Sequence, residues 1–222
     1  MFTEQSRCIR KFGLLLVVLI SLSIFLAGCV DVSEFFTAGC VDINVVMKIE
    51  DNENRGDYML TISTDSEEVF EGIKSSFAED SDDEEEEQDQ VQTSINEKEG
   101  VYSVMIQDEL SDEDFHIETE SSRVVYTFED IVFDLGEVIV EEKRDEIIAS
   151  CEGYYYSFSV DLPNKIQGAW WINLENEKIE EVAVDNINDQ TFSFEIPMAT
   201  VMSKTKTEDW ANRSGVIIQT EK

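Results

Sequence analysis

Basic residues are scarce in this chain: 16 lysines and arginines stand against 50 aspartates and glutamates, a formal net charge of −34 over 222 residues. A surface of that sign repels phosphate backbones, which argues against a nucleic-acid partner. It attracts cations and basic macromolecules, or serves as a solubility device in a salty medium. Histidine occurs once, at His116, and the four cysteines contain no Cys-x-x-Cys spacing, so the usual zinc ligand sets are missing. There is also no Gly-x-Ser-x-Gly elbow, no phosphate-cradling glycine loop and no His-Glu-x-x-His. Carboxylates are so abundant that no pair stands out for acid–base work. His116 lies between Phe115 and Ile117 in a strand pattern and reads as a surface histidine. The sequence therefore argues against an enzyme, a resident metal and a cofactor.

Long apolar runs are equally rare. One extends from Phe12 to Ala27, behind Arg7, Arg10 and Lys11, and ends in Leu26-Ala27-Gly28-Cys29. Retained positive charge, an apolar stretch and small residues before a cut define a secretory signal. The run is short against the roughly 20 residues that span a bilayer. Leu-Ala-Gly-Cys resembles the lipobox of prokaryotic lipoproteins, which implies a diacylglyceryl group on the Cys29 sulfur and cleavage after Gly28. Residues 1–28 are then a signal peptide, and their loss takes the net charge to −36, since they carry three basic side chains and Glu4. Thr37-Ala38-Gly39-Cys40 echoes the motif, but Asp31 and Glu34 separate it from the apolar run. Each buried acyl methylene contributes about 0.8 kcal/mol, so two chains on Cys29, palmitate among them, hold the protein at the membrane. The expected address is the extracytoplasmic face of the cell membrane.

After processing, Cys40 and Cys151 remain as an even pair in a compartment that permits disulfides. They read either as a disulfide closing a long loop or as two small buried thiols, since spacing alone does not show whether they meet.

Residues 29–39 read as a lipidated tether and 40–222 as a single domain. Ile43, Val45, Met47 and Ile49 alternate with polar neighbours, and Tyr58, Leu60 and Ile62 repeat the pattern beyond Gly56, which predicts a hairpin. Arg55-Gly56-Asp57 at its turn reads as ordinary turn chemistry rather than an adhesion signal. Asp65 to Glu68 offers a helix cap ahead of Val69, Phe70, Ile73 and Phe77. From 79 to 90 the chain is acidic and without an apolar residue, a disordered loop on composition. Asp80, Asp82 and Glu84 alternate as calcium ligands would, but Glu85 and Val91 stand where an EF-hand needs glycine and glutamate. Further strands are predicted around 102–106, 115–119, 124–126, 154–162, 170–174, 182–184, 192–196 and 216–218, with a second helix over Phe128 to Ile139. The expected fold class is α+β: a largely antiparallel sheet covered by about two helices. Tyr154, Tyr156, Phe158, Trp170, Phe192 and Phe194 either fill the core or line an apolar cavity for a lipid or other amphiphile.

The order of features resembles the LppM-type family of envelope lipoproteins. The likeness rests on the lipobox at Cys29 and on Gly39-Cys40-Val41-Asp42-Ile43 opening a hairpin with a helix after it. Tyr126-Thr127-Phe128-Glu129-Asp130, and Tyr156-Ser157-Phe158 leading into Asp161-Leu162-Pro163-Asn164, carry it further, over about residues 40–196. The resemblance implies a START-like domain with a hydrophobic cavity and no catalysis. The chain departs from it in the acidic insert and in lacking the C-terminal membrane helix that many members carry. Two functions follow as expectations. The first is a lipid-anchored protein binding a lipid in an apolar cavity. The alternative is an acidic module recruiting basic partners or cations at the membrane surface.

Overall fold

The structure, a computed structural model, describes residues 39–50, 55–79, 92–98, 100–110, 115–129, 131, 141–173, 175–203, 210 and 213–222. The expected signal peptide, Cys29, the expected tether up to residue 38 and the acidic run after Glu79 lie outside the described residues. So does most of the helix expected over Phe128 to Ile139.

Alternation builds the first hairpin as the sequence predicts. β1 (Asp42–Ile49) pairs antiparallel with β2 (Gly56–Thr64), and Ile43 faces Ile62 while Val45 faces Leu60. Next, α1 (Glu67–Glu79) starts at Ser66, whose Oγ accepts from the Val69 N–H at 3.3 Å. Glu67 and Glu68 in its first turn suit the positive end of the helix dipole. Val69, Phe70 and Ile73 are buried, and Phe70 stacks on Tyr102 at 5.0 Å.

A second hairpin, β3 (Gln92–Lys98) and β4 (Val101–Glu109), turns at Gly100, whose φ of 80° suits glycine. β5 (His116–Thr119) and β6 (Arg123–Phe128) form a third. A 3-10 turn (Glu141–Lys143) and α2 (Arg144–Ser150) lead into β7 (Tyr155–Asp161). β8 (Ile166–Ile172), β9 (Lys178–Glu181), β10 (Ile187–Asn188) and β11 (Thr191–Pro197) follow. A short α3 (Met198–Val201) precedes the last strand, β12 (Gly215–Glu221).

These strands make two sheets, not one. The larger has seven strands in the order β10-β11-β7-β1-β2-β4-β3, and the smaller has five in the order β5-β6-β12-β8-β9. The larger sheet is mixed, because β1 and β7 run parallel, and the remaining pairings are antiparallel. The expected α+β, START-like sheet covered by helices is therefore corrected. Most of the covering layer is a second sheet, and α1 takes a place beside it. The physical reason is that alternation marks which side chains are buried but not whether a helix or a sheet buries them.

Side chains from both sheets meet in one core. Val45, Phe158 and Phe194 stand side by side across β1, β7 and β11, and Ile43, Tyr156 and Ile196 form the next row. From the smaller sheet, Phe128 reaches Phe158 at 6.2 Å and Trp171 reaches Phe194 at 5.3 Å. Phe128, expected to open a helix, is instead the last residue of β6, paired with Val216 and fully buried. Its spacing to Ile131 fits a helix face, but β12 offers it a partner strand 88 residues further along, which local periodicity does not reveal.

Candidate functional site

The six aromatic residues that either fill the core or line a cavity do not share one surface. Tyr156, Phe158, Phe192 and Phe194 are buried, and their rings touch one another, with Tyr156–Phe194 centroids at 5.8 Å and Phe158–Phe194 at 5.5 Å. Phe192 completes the cluster at 6.4 Å from Phe158. The Tyr156 hydroxyl donates to the Ile131 carbonyl at 2.7 Å, and burial pushes its ionisation far above the ordinary range. Tyr154 lies just before β7, is partly exposed, and donates its hydroxyl to the Asp65 carboxylate. Desolvation first, and then that carboxylate, push its pKa up to about 12.

Trp170 belongs elsewhere. Along β8 the inward tryptophan is Trp171, 3% exposed, while Trp170 points to the far side of the smaller sheet. Two adjacent indoles left the alternation ambiguous, and β12 fixes it by setting Ala169 opposite Ile218 and Trp171 opposite Val216. Trp171 also meets Trp210 at 5.4 Å, and the Arg213 guanidinium lies 5.0 Å over Trp171 and 4.9 Å over Trp210. Arg213 is tied to Glu180 at 2.6 Å. Sequence reading missed this group, since Trp210 and Arg213 follow Pro197, where periodicity fades.

On the outward side of the smaller sheet, the Trp170 indole lies flat across Gly168. A Cβ there would come within 2.8 Å of the ring. The Lys178 ammonium sits 3.8 Å above it. Desolvation and then the Arg123 charge hold the Lys178 pKa below its ordinary value. Arg123 itself is clamped by Glu120 and hydrogen-bonds the Gln219 side chain at 3.3 Å. His116 lies on the exposed edge strand β5 with Nε2 3.9 Å from Glu129. Among the described residues no group of three His, Cys, Asp or Glu is placed to hold a metal ion.

Cys40 and Cys151, which the sequence left open, are joined as a disulfide, both fully buried, with Cα atoms 5.0 Å apart and a separation of 111 positions in sequence. Cys40 also gives its carbonyl to the Thr64 hydroxyl at 2.8 Å. The start of β1 is thus fixed at the point where the chain arrives from Cys29. Ten residues separate the two cysteines, a reach of at most about 40 Å when fully extended. Close by, Asp42 accepts the Tyr155 N–H at 2.7 Å. Burial first, and then the Glu195 and Asp65 charges, raise the Asp42 pKa against the opposing pull of that N–H.

The outward face of the larger sheet went unremarked in the sequence, although its residues are those that alternate with the core. Across β7, β1, β2 and β4 it carries Ser159, Val46, Met59 and Gln107, followed by Ser157, Asn44, Thr61 and Met105. Arg55 and Asp57 stand at the start of β2, with Asp57 held in the ladder between Lys48 and Glu109. No helix among the described residues is long and apolar enough to cross a membrane. The chain matches no family model, no curated protein and no solved structure.

Proposed function

We propose that this chain is a lipoprotein anchored through Cys29 at the extracytoplasmic face of a cell membrane. Its domain acts there as an acidic interaction module that gathers basic proteins or cations. The address rests on the lipobox and on the oxidised Cys40–Cys151 pair, because disulfides persist outside the reducing cytoplasm. The observation that carries the mode of action is the ring-on-ring packing of Phe158, Phe192, Phe194 and Trp171. Those side chains solvate one another, and they favour recognition at the surface over a lipid held among them. The LppM-type likeness stays with the lipobox and the order of motifs and adds no ligand.

The mechanism is electrostatic. Charge of one sign over a compact body raises the local concentration of cations and speeds encounter with basic partners, and salt screens both effects. Among the described residues, carboxylates such as Glu180, paired with Arg213 at 2.6 Å, and Glu120, paired with Arg123, are neutralised internally. Most of the 50 have no basic residue to meet, given only 16. Membrane-extracted protein immobilised through its C-terminus should capture a basic protein such as lysozyme at low salt and release it by about 0.5 M salt, where screening is within a few ångströms. Native mass spectrometry of the same preparation should show no bound amphiphile beyond the covalent one. A stoichiometric free lipid, with salt-independent protein capture, would overturn the reading in favour of a lipid carrier.

A further inference from the structure

We propose that the Asp42 carboxyl is a proton-operated clasp on the joint between the two halves of the seven-stranded sheet, gripping β7 more tightly as the surroundings turn acid. The inference stands apart from partner binding and needs only the fold. β1 and β7 make the one parallel pairing among the described strands, with β2, β4 and β3 on one side of it and β11 and β10 on the other. Their ladder opens with Ile43 opposite Tyr156. One residue earlier, Asp42 Oδ1 accepts the Tyr155 N–H at 2.7 Å, so a side chain makes the contact at the ladder's open end. The entry to β7 is gripped there from other directions as well. The Tyr154 hydroxyl donates to Asp65, the Met198 N–H donates to the Tyr154 carbonyl at 2.8 Å, and Cys151 is bonded to Cys40, two residues before Asp42.

The clasp is built against its own charge. Asp42 of β1, Asp65 just beyond β2 and Glu195 of β11 meet around the entry to β7, and among the described residues none of the three is in an ion pair. Nothing on the neighbouring elements compensates. Ser63 opposite Asp42 on β2 is uncharged, Ser157 of β7 donates to Glu195 at 3.3 Å, Tyr154 keeps its proton up to about 12, and α1 opens with Glu67 and Glu68. Half-burial withdraws Asp42 from water, and the Glu195 and Asp65 charges oppose its ionisation; together they outweigh the pull of the Tyr155 N–H. A proton on Asp42 removes the repulsion and leaves its carbonyl oxygen to accept the same N–H. Because the folded pKa lies above the ordinary 3.8, the gain is whole below 3.8 and is lost as pH rises through the raised value. The joint is therefore loosest at neutral pH and closes in acid.

Hydrogen exchange of the full-length protein in detergent, read by mass spectrometry at the Tyr155 amide and corrected for the intrinsic rate, tests this. Protection at Tyr155 should rise about threefold or more between about pH 7 and about pH 4.5. Asp42→Asn keeps the accepting oxygen without the charge, so its protection should stand at the wild type's acid level at both pH values. Asp42→Ala has no acceptor, and its protection should stay low at both. Wild-type protection that is flat or falls in acid would overturn the proposal. So would an asparagine variant that follows the wild type's rise, because the effect would then belong to relief of the overall charge of −34. Near-ultraviolet circular dichroism verifies the fold of each variant. If a variant is misfolded, the wild type alone decides, by comparing Tyr155 with Ile218 on the central strand of the smaller sheet. A rise confined to Tyr155 supports the clasp, and an equal rise at both amides overturns it.

Discussion

Single side chains divide sharply between those that hold the two sheets together and those that decorate them. Trp171 and Trp170 are neighbours with opposite fates, one buried against Phe192 and Phe194 and the other lying on Gly168 under Lys178. Trp171→Ala should cost about 3–5 kcal/mol, as large aromatic truncations in a core do. Trp170→Ala should cost under about 1 kcal/mol, because it removes a surface stack and a cation–π contact. Urea titration of both variants checks this, and equal losses would mean that the strand register is wrong. Tyr154 gives a second test through alkaline pH. Its folded pKa, about 12, lies above the ordinary 10.0. The unfolded chain therefore ionises first, and the contribution is whole below pH 10 and lost as pH rises through 12. Tyr154→Phe should make the alkaline decline shallower. It should also lower stability near neutrality by about 1 kcal/mol for the lost hydrogen bond.

Elements show where sequence reading succeeds and where it stops. β1, β2, β7 and β11 were legible because each sets bulky apolar residues at every second position with polar ones between. β3 was not, since Gln92 to Lys98 holds one apolar residue, Ile95, on an edge strand that need not bury a face. α2 was hidden in the charged stretch around Arg144, where only Ile147 is buried. β12 is predicted over 216–218 alone, yet it runs from Gly215 to Glu221 and sits between β6 and β8 at the middle of the smaller sheet. Its pairings span the chain, and no local pattern encodes them. The aromatic set was legible as apolar but not as packed or open, because composition does not fix whether rings face one another. Cysteine arithmetic found the pair Cys40 and Cys151, and only the fold joins them. The bridge ties the start of β1 to the residue that ends α2, across 111 positions. Cys40→Ser with Cys151→Ser should lower stability by about 2–5 kcal/mol by releasing the unfolded chain. Thermal unfolding with and without reductant reads it, and an unchanged midpoint would contradict a formed disulfide.

At the scale of the whole molecule, charge and the proposed attachment work against each other. A body with 50 carboxylates is driven away from anionic lipids and from its own copies, so an anchor must be strong enough to hold it at a bilayer. Two acyl chains meet that need and one does not. On the proposed attachment, the buried disulfide would pass the anchor's hold to the sheet, because Cys40 is fixed on both sides, by Cys151 and by the Thr64 hydroxyl. Everything claimed for surface recognition depends on the domain being outside and held there. Intact mass measurement of protein extracted from membranes tests that most directly. The account predicts a chain beginning at Cys29, carrying a diacylglyceryl group and lacking two hydrogens for the Cys40–Cys151 bond. A chain beginning at Met1 with an unmodified Cys29 would contradict it.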